Sequence, residues 1–228
     1  MKKIVLIMSL IAFAFSAISQ NCETYIPTTV GTKVTTQHFD KKDKLTSTVT
    51  TEIKSVEMID GKQQVVVETQ SVDADGIPSE KTELTYCCNG DVFEVDTKSM
   101  LDQGQMGAYE SMQIEYTFEN LQYPPKMTAG MQLKDGFVEA VVTNEGIKMV
   151  TIRVDVKDSK VEAIESITVP AGTYDAAKIN QTIVSKTGFI TIQMQSIQWM
   201  VNGIGAVRTE TYNKKGKLVG YSVVSMVE

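Results

Sequence analysis

The feature that most constrains this chain is a set of tight-turn dipeptides lying between runs of β-branched residues. Asp60-Gly61, Asp75-Gly76 and Asn89-Gly90 each separate two such runs. A two-residue hairpin turn needs positive φ at its centre, which Asp, Asn and Gly accept at low cost. The runs themselves, Leu45 to Ile59, Gln63 to Val72, Thr82 to Cys88 and Val92 to Val95, are rich in Thr and Val. Such residues suit a half-buried pleated surface. Strands joined by turns this short must run antiparallel, because a parallel pair needs a crossover of a dozen residues or more. The first half is therefore expected to be an antiparallel meander.

The second half repeats the pattern. Phe137 to Thr143 turns at Asn144-Glu-Gly146 into Ile147 to Val156, and Val161 to Val169 leads into Val169-Pro-Ala-Gly172. Pro170 presets φ for that turn and Gly172 accepts a positive φ. Asp175 to Ser185, Phe189 to Val201, Ala206 to Tyr212 and Lys217 to Val227 complete the set. Gly203 and Gly205 flank Ile204 just after the single tryptophan, where the backbone can bend or meet another segment closely. In Ile197 to Val201 and Tyr221 to Val227 apolar residues fall on both faces, as in a sheet that wraps around something. Between the halves, Thr97 to Gly136 loses the alternation, and Pro124-Pro125 blocks regular structure. Ser99 is a candidate cap for a short helix ending near Met106. We expect an all-β protein with little helix: one large curved antiparallel sheet, a half-barrel or open barrel. In that reading residues 20–96 and 137–228 are two halves of a single domain, joined by a crossover at 97–136.

The N-terminus reads as a secretory signal over residues 1–19. Lys2 and Lys3 precede an apolar run from Ile4 to Phe15, and Ala17 and Ser19 are small residues before a cut at Gln20. The run is short for a membrane span. Nor does Ser19-Gln20-Asn21 before Cys22 fit a lipid-attachment box, so an exported protein, periplasmic or outer-envelope/secreted and not a lipoprotein, is expected. The formal net charge of −6 becomes more negative once Lys2 and Lys3 are removed. That disfavours nucleic acid as a partner, since phosphate binding needs concentrated positive charge.

Three cysteines follow the signal: Cys22, Cys87 and Cys88. Export makes one bridge reasonable. Adjacent residues on a strand point to opposite faces, so Cys87 and Cys88 should not pair with each other. We expect Cys22 to pair with Cys88, which leaves Cys87 as a small buried hydrophobe. The closed loop would contribute roughly 4 kcal/mol in the chain-entropy account.

No catalytic residues, metal ligands or cofactor motifs emerge. His38 is the only histidine, and a zinc site needs about four suitable ligands. Ser71-Val-Asp-Ala-Asp-Gly76 lacks the first acid of a calcium loop, and Thr82 stands where its last should be. Acids such as Glu162, Glu165 and Glu210 show no spacing that selects a hydrolytic pair. The lysine turns Lys41-Lys42-Lys44 and Lys214-Lys215-Lys217 are basic spots on an acidic chain, suited to discouraging edge pairing or to touching anionic headgroups. The twelve methionines are more suggestive, because Met recurs on surfaces that take varied apolar partners. Met100 and Met106 in the crossover, with Met194, Trp199, Met200 and Met226 in the last strands, are the candidate ligand-lining residues.

Ser166-Ile-Thr-Val-Pro-Ala-Gly-Thr-Tyr174, the Trp199 segment, Gly203-Ile-Gly-Ala-Val-Arg208, Phe39-Asp-Lys-Lys42 and Cys88-Asn-Gly-Asp91 together resemble an uncharacterised family of exported β-proteins of Gram-negative bacteria, the domain-of-unknown-function 3108 type. That family is similar in turn to lipoprotein-carrier half-barrels of the LolA and LolB kind. The resemblance implies a large curved sheet, sometimes plugged by helices, and no catalytic residues. The expected function is a non-enzymatic binder or carrier of a lipid or other apolar small molecule in the cell envelope. Two rivals are an envelope interaction protein acting through sheet edges or an exposed apolar patch, and a hydrolase with a carboxylate pair.

Overall fold

Turn chemistry sets the first hairpins. Asp60 and Gly61 take φ of 51° and 75°, the positive pair that a tight two-residue turn demands. The computed structural model describes residues 24–101 and 106–228. Its strands are β1 (Lys33–Asp40), β2 (Leu45–Ile59), β3 (Lys62–Asp73), β4 (Thr82–Asn89), β5 (Val92–Val95), β6 (Gln113–Glu119) and β7 (Leu121–Tyr123). They continue with β8 (Gly136–Asn144), β9 (Ile147–Val169), β10 (Gly172–Thr187), β11 (Ile190–Val201), β12 (Gly205–Asn213) and β13 (Leu218–Val227). All belong to one antiparallel sheet in the order β6-β8-β9-β10-β11-β12-β13-β1-β2-β3-β4-β5-β7. The sheet curls almost into a closed barrel, with one unsealed seam. The all-β, open-barrel expectation holds.

The halves meet twice. β13 pairs with β12 on one side and with β1 on the other, so the last strand binds the first. The second junction is the crossover, which carries more structure than its sequence pattern suggests. β6 pairs with β8, whereas β7 pairs with β5, so the chain changes partner at Asn120. Gly136 makes that switch sterically feasible. A Cβ there would lie 2.7 Å from Leu121 Cδ2 and 2.9 Å from the Glu119 carbonyl oxygen. Ser99 lies inside a 3-10 turn, and helix reappears at Met106 and Gly107 after residues that lie outside those described. Asp96 caps a 3-10 turn over Thr97–Met100, its carboxylate accepting the Lys98 N–H at 2.9 Å.

Strand register sorts the hairpin turns onto two ends of the barrel. The near end carries the turns at 60–61, 170–171 and 202–204, together with Thr24 and Glu228. The far end carries the turns at 41–44, 145–146, 188–189 and 214–217. Non-helical segments fill the near end. Tyr25 and Met127 join Phe93, Tyr123, Val156, Val161 and Ile179 in the largest core cluster. The Tyr25 hydroxyl donates to the Pro124 carbonyl at 2.7 Å, its ring packs on Phe93 and Tyr123, and Gly203 N–H donates to the Thr24 carbonyl at 2.8 Å. Gly203 and Gly205 have φ of 73° and 109°, and a Cβ on Gly205 would lie 3.4 Å from the Tyr25 carbonyl oxygen.

Towards the far end the inward face turns polar. His38 pairs across strands with Ser47 and Ser222, and a groove there is lined by Thr209 and Thr211 as well. Ser159, Gln181 and Ser196 are buried polar residues farther in. No helix among the described residues is long and apolar enough to cross a membrane.

Candidate functional site

The seam is sealed at one end and open at the other. At the near end β5 and β7 close it through Phe93–Tyr123 and Val95–Leu121. Farther along, Thr82–Thr85 of β4 pair only with β3, and β6 pairs only with β8. Among the described residues these two sheet edges have no ladder partner on that side, and they face a cleft of about 410 Å³. Leu84, Tyr86, Leu101, Met106 and Tyr116 give it apolar walls, and Thr82, Asp96 and Lys98 its polar side.

Each wall follows from local pattern. On β4 the alternating Thr82, Leu84 and Tyr86 sit opposite Thr69, Val67 and Val65, the inward set of β3. Tyr86 stacks on Phe93 at 5.6 Å, and burial pushes its phenol pKa up. On β6 Ile114, Tyr116 and Phe118 sit opposite Val142, Ala140 and Val138, three residues with no exposed surface. Tyr116 and Phe118 nevertheless stay 44% exposed, because none of the described strands covers them across the seam. Lys98 closes one corner, its ammonium 4.5 Å from the Phe118 ring centre and 3.4 Å from Asp96. The lining thus combines aromatic and apolar side chains with one cation, Lys98, and two acids, Glu83 and Asp96.

The six ligand-lining candidates are distributed more widely. Met106 is buried and lines the seam cleft, and Met100 packs beneath it between two core clusters. Met200 borders a second groove at the near end, beside Tyr25 and Met127. Met194 is half-buried opposite Ile183. Met226 is 44% exposed opposite Thr35. Trp199 sits opposite Lys178 and Arg208, on the face that Met200 does not share. Its indole N–H donates to Glu165 at 2.7 Å, and Arg208 approaches its ring while donating to Glu210 at 2.9 and 2.7 Å. Burial alone would raise the Glu210 carboxyl pKa, but hydrogen bonds from Tyr212 and Arg208 overcome it and hold the carboxyl low. Glu162 accepts a hydrogen bond from Asn180 at 2.7 Å. The three acids singled out earlier are thus engaged in hydrogen bonds on the sheet.

Cys88 and Cys87 do point to opposite faces, but with burial reversed for Cys87. Cys88 is the buried member, in the Tyr25 cluster, whereas Cys87 is a half-buried free thiol whose pKa is raised by burial and then by Glu94. Cys22 lies outside the described residues, and with it the Cys22–Cys88 pairing and the signal over 1–19.

Tyr116, Phe118, Leu84 and Tyr86 were not singled out from the sequence. The alternation Ile114-Glu-Tyr-Thr-Phe118 carried the signal, a period-two run inside a stretch that otherwise reads as irregular.

With the geometry in place, residues 29–224 match the family model described as DUF3108-like. The chain belongs to that family. Two solved structures share its fold. An inferred exported protein with a YmcC-like fold from Bacteroides fragilis is 21% identical, with a TM-score of 0.71, covering 91% of this DUF3108-like chain and 100% of that one. An inferred lipoprotein from Parabacteroides distasonis is 24% identical, with a TM-score of 0.73 and the same two coverages. No curated protein matches this DUF3108-like chain.

Proposed function

We propose that the protein is a non-enzymatic binding protein of the bacterial cell envelope, holding a lipid or other apolar ligand in the seam cleft. One observation carries this reading: Tyr116 and Phe118 belong by register to the inward face yet stand exposed at the open seam. Large aromatics left uncovered beside a cleft of about 410 Å³ lose apolar contact that a ligand would restore. Asp96 and Lys98 at the edge suit a polar headgroup. The signal-like N-terminus and the exported and lipoprotein neighbours support an envelope address. The disulfide belongs to the same reading. Cys88 lies in one cluster with Tyr25, which follows Cys22 by three residues in the chain.

The test is titration of the purified mature protein with a fluorescent fatty acid, alongside Tyr116→Glu. Tyr116 is exposed enough for the variant to fold. We expect saturable binding by the native protein, weakened at least tenfold in Tyr116→Glu. Absence of saturable binding, or equal binding by both, would overturn the reading.

A second reading rests on a different observation. The unpaired edges of β4 and β6 could accept an added strand, which is how sheet edges recruit extended peptides. That reading predicts an envelope interaction protein, and its mark would be loss of partner capture on placing proline in β6, as in Thr117→Pro, with dye binding retained.

A further inference from the structure

We infer that the far end of the barrel docks onto the surface of an anionic phospholipid bilayer. Four neighbouring hairpin turns gather there. The β10–β11 hairpin reaches past the β12–β13 hairpin beside it. β11 pairs with β12 only from Met194 onward, so residues 190–193 project past their neighbour. At its tip Phe189 is fully exposed, followed by exposed Ile190 and Ile192. The Gly188 N–H donates to the Thr151 carbonyl at 3.0 Å, holding this tip beside the start of β9, where Ile147 and Met149 are also exposed. Apolar side chains bared on hairpin tips are costly in water, and here two adjoining tips carry them.

Charge decides what covers them. Lys148 and Lys186 flank the apolar tips, and both are exposed. The next two turns carry Lys214, Lys215 and Lys217, then Lys41, Lys42 and Lys44. No salt bridge among the described residues ties any of these lysines. The acids on the same four turns are fewer and partly engaged. Asp40 accepts the N–H groups of Lys42 and Lys44, Asp43 accepts the Tyr221 hydroxyl, and Glu145 is exposed. The adjoining β3–β4 connection adds Asp73, which accepts two backbone N–H groups of its own turn, Asp75 and Glu80, with Lys81 paired to Glu68. On a chain of net charge −6, this end is locally basic. Apolar tips ringed by lysine match the two layers of a membrane surface, acyl boundary and anionic headgroup. The near end also exposes Val30, Met58 and Ile59, but beside Glu57, Asp60 and Lys62, without a lysine excess.

The inference does not rest on the seam ligand, and its test separates the two. The mature protein is sedimented with vesicles of phosphatidylglycerol and phosphatidylethanolamine, and with vesicles of phosphatidylcholine alone. We expect binding to the first kind only, weakened by salt, and reduced about fivefold for each far-end lysine reversed in sign. Phe189→Ser and Ile190→Thr should reduce binding at least tenfold, while Met58→Ser at the other end changes nothing. These side chains are exposed, so the variants fold, and each should keep the native affinity for the fluorescent fatty acid. No sedimentation with anionic vesicles, or sedimentation that Phe189→Ser leaves intact, overturns the inference. Capture of a protein by the same tips without vesicle binding would do so as well.

Discussion

Individual residues of this protein carry distinct and separable duties. Gly172 sits at φ 147°, a region that essentially only glycine occupies, and a Cβ there would meet the Tyr174 hydroxyl at 3.0 Å. That hydroxyl is engaged, donating to the Ala171 carbonyl at 2.9 Å, and the Ala171 N–H donates to the Val224 carbonyl at 3.3 Å. The Pro-Ala-Gly-Thr-Tyr motif is thus a latch that ties the β9–β10 tip to the closing strand. Gly172→Ala should destabilise the fold by about 1–3 kcal/mol in chemical denaturation. The cysteines give a second prediction. If Cys22 and Cys88 are bridged, the mature chain is lighter than its reduced form by two hydrogens, and Cys88→Ser costs about 2–4 kcal/mol. An intact mass carrying acyl chains on Cys22 would sink the bridge, because the lipid takes the same thiol. His38 supplies a pH handle. Burial lowers its pKa from the ordinary 6.5. Below pH 6.5 the unfolded chain takes a proton that the folded chain refuses, so stability is lost as pH falls from there to the folded value. Melting temperatures between pH 8 and pH 5 should fall for the native protein and stay flatter for His38→Gln.

Among the elements, the decisive one is the continuous run from β6 into β7. Its partner switch at Asn120 leaves the seam open on one side and sealed on the other. Gly136→Ala would push a methyl group into Leu121 and the Glu119 carbonyl, so we expect a loss of about 1–3 kcal/mol. Hydrogen exchange should speed up in β6 and β7 before the other strands. Equal acceleration throughout the sheet would contradict a local role for this glycine. This element also marks where sequence reasoning stops. The hairpins were legible because Asp60-Gly61 encodes its geometry within two residues and Gly90 opens the Gly90-Asp91 turn, one residue later than the Asn-Gly pattern implies. The halves and the crossover were legible from alternation and from Pro124-Pro125. Which strand β6 joins was not, because it depends on register with β8, far along the chain, and on room made by one glycine. The candidate site fell in that gap. Trp199 and the methionines drew attention by residue type, whereas exposure of Tyr116 and Phe118 is a consequence of pairing that no single stretch contains.

For the molecule as a whole, β13 is the clasp. Among the described strands it alone joins β12 to β1, and a barrel without it would have two new open edges. Deletion of residues 218–228 should abolish the cooperative thermal transition and give aggregated protein, read by circular dichroism and light scattering. A soluble, cooperatively melting fragment would show that the halves fold independently. The pairing of the extremities has a practical corollary. Lys33 N–H and carbonyl bond Glu228 at 2.7 and 3.0 Å, and Thr24 lies by Gly203 at that same end. A tether grafted after Glu228 therefore leaves from the pole opposite the β10–β11 tip, so a molecule fixed to a sensor chip by its tail presents Phe189 and the lysine turns outward, unobstructed, to whatever flows past.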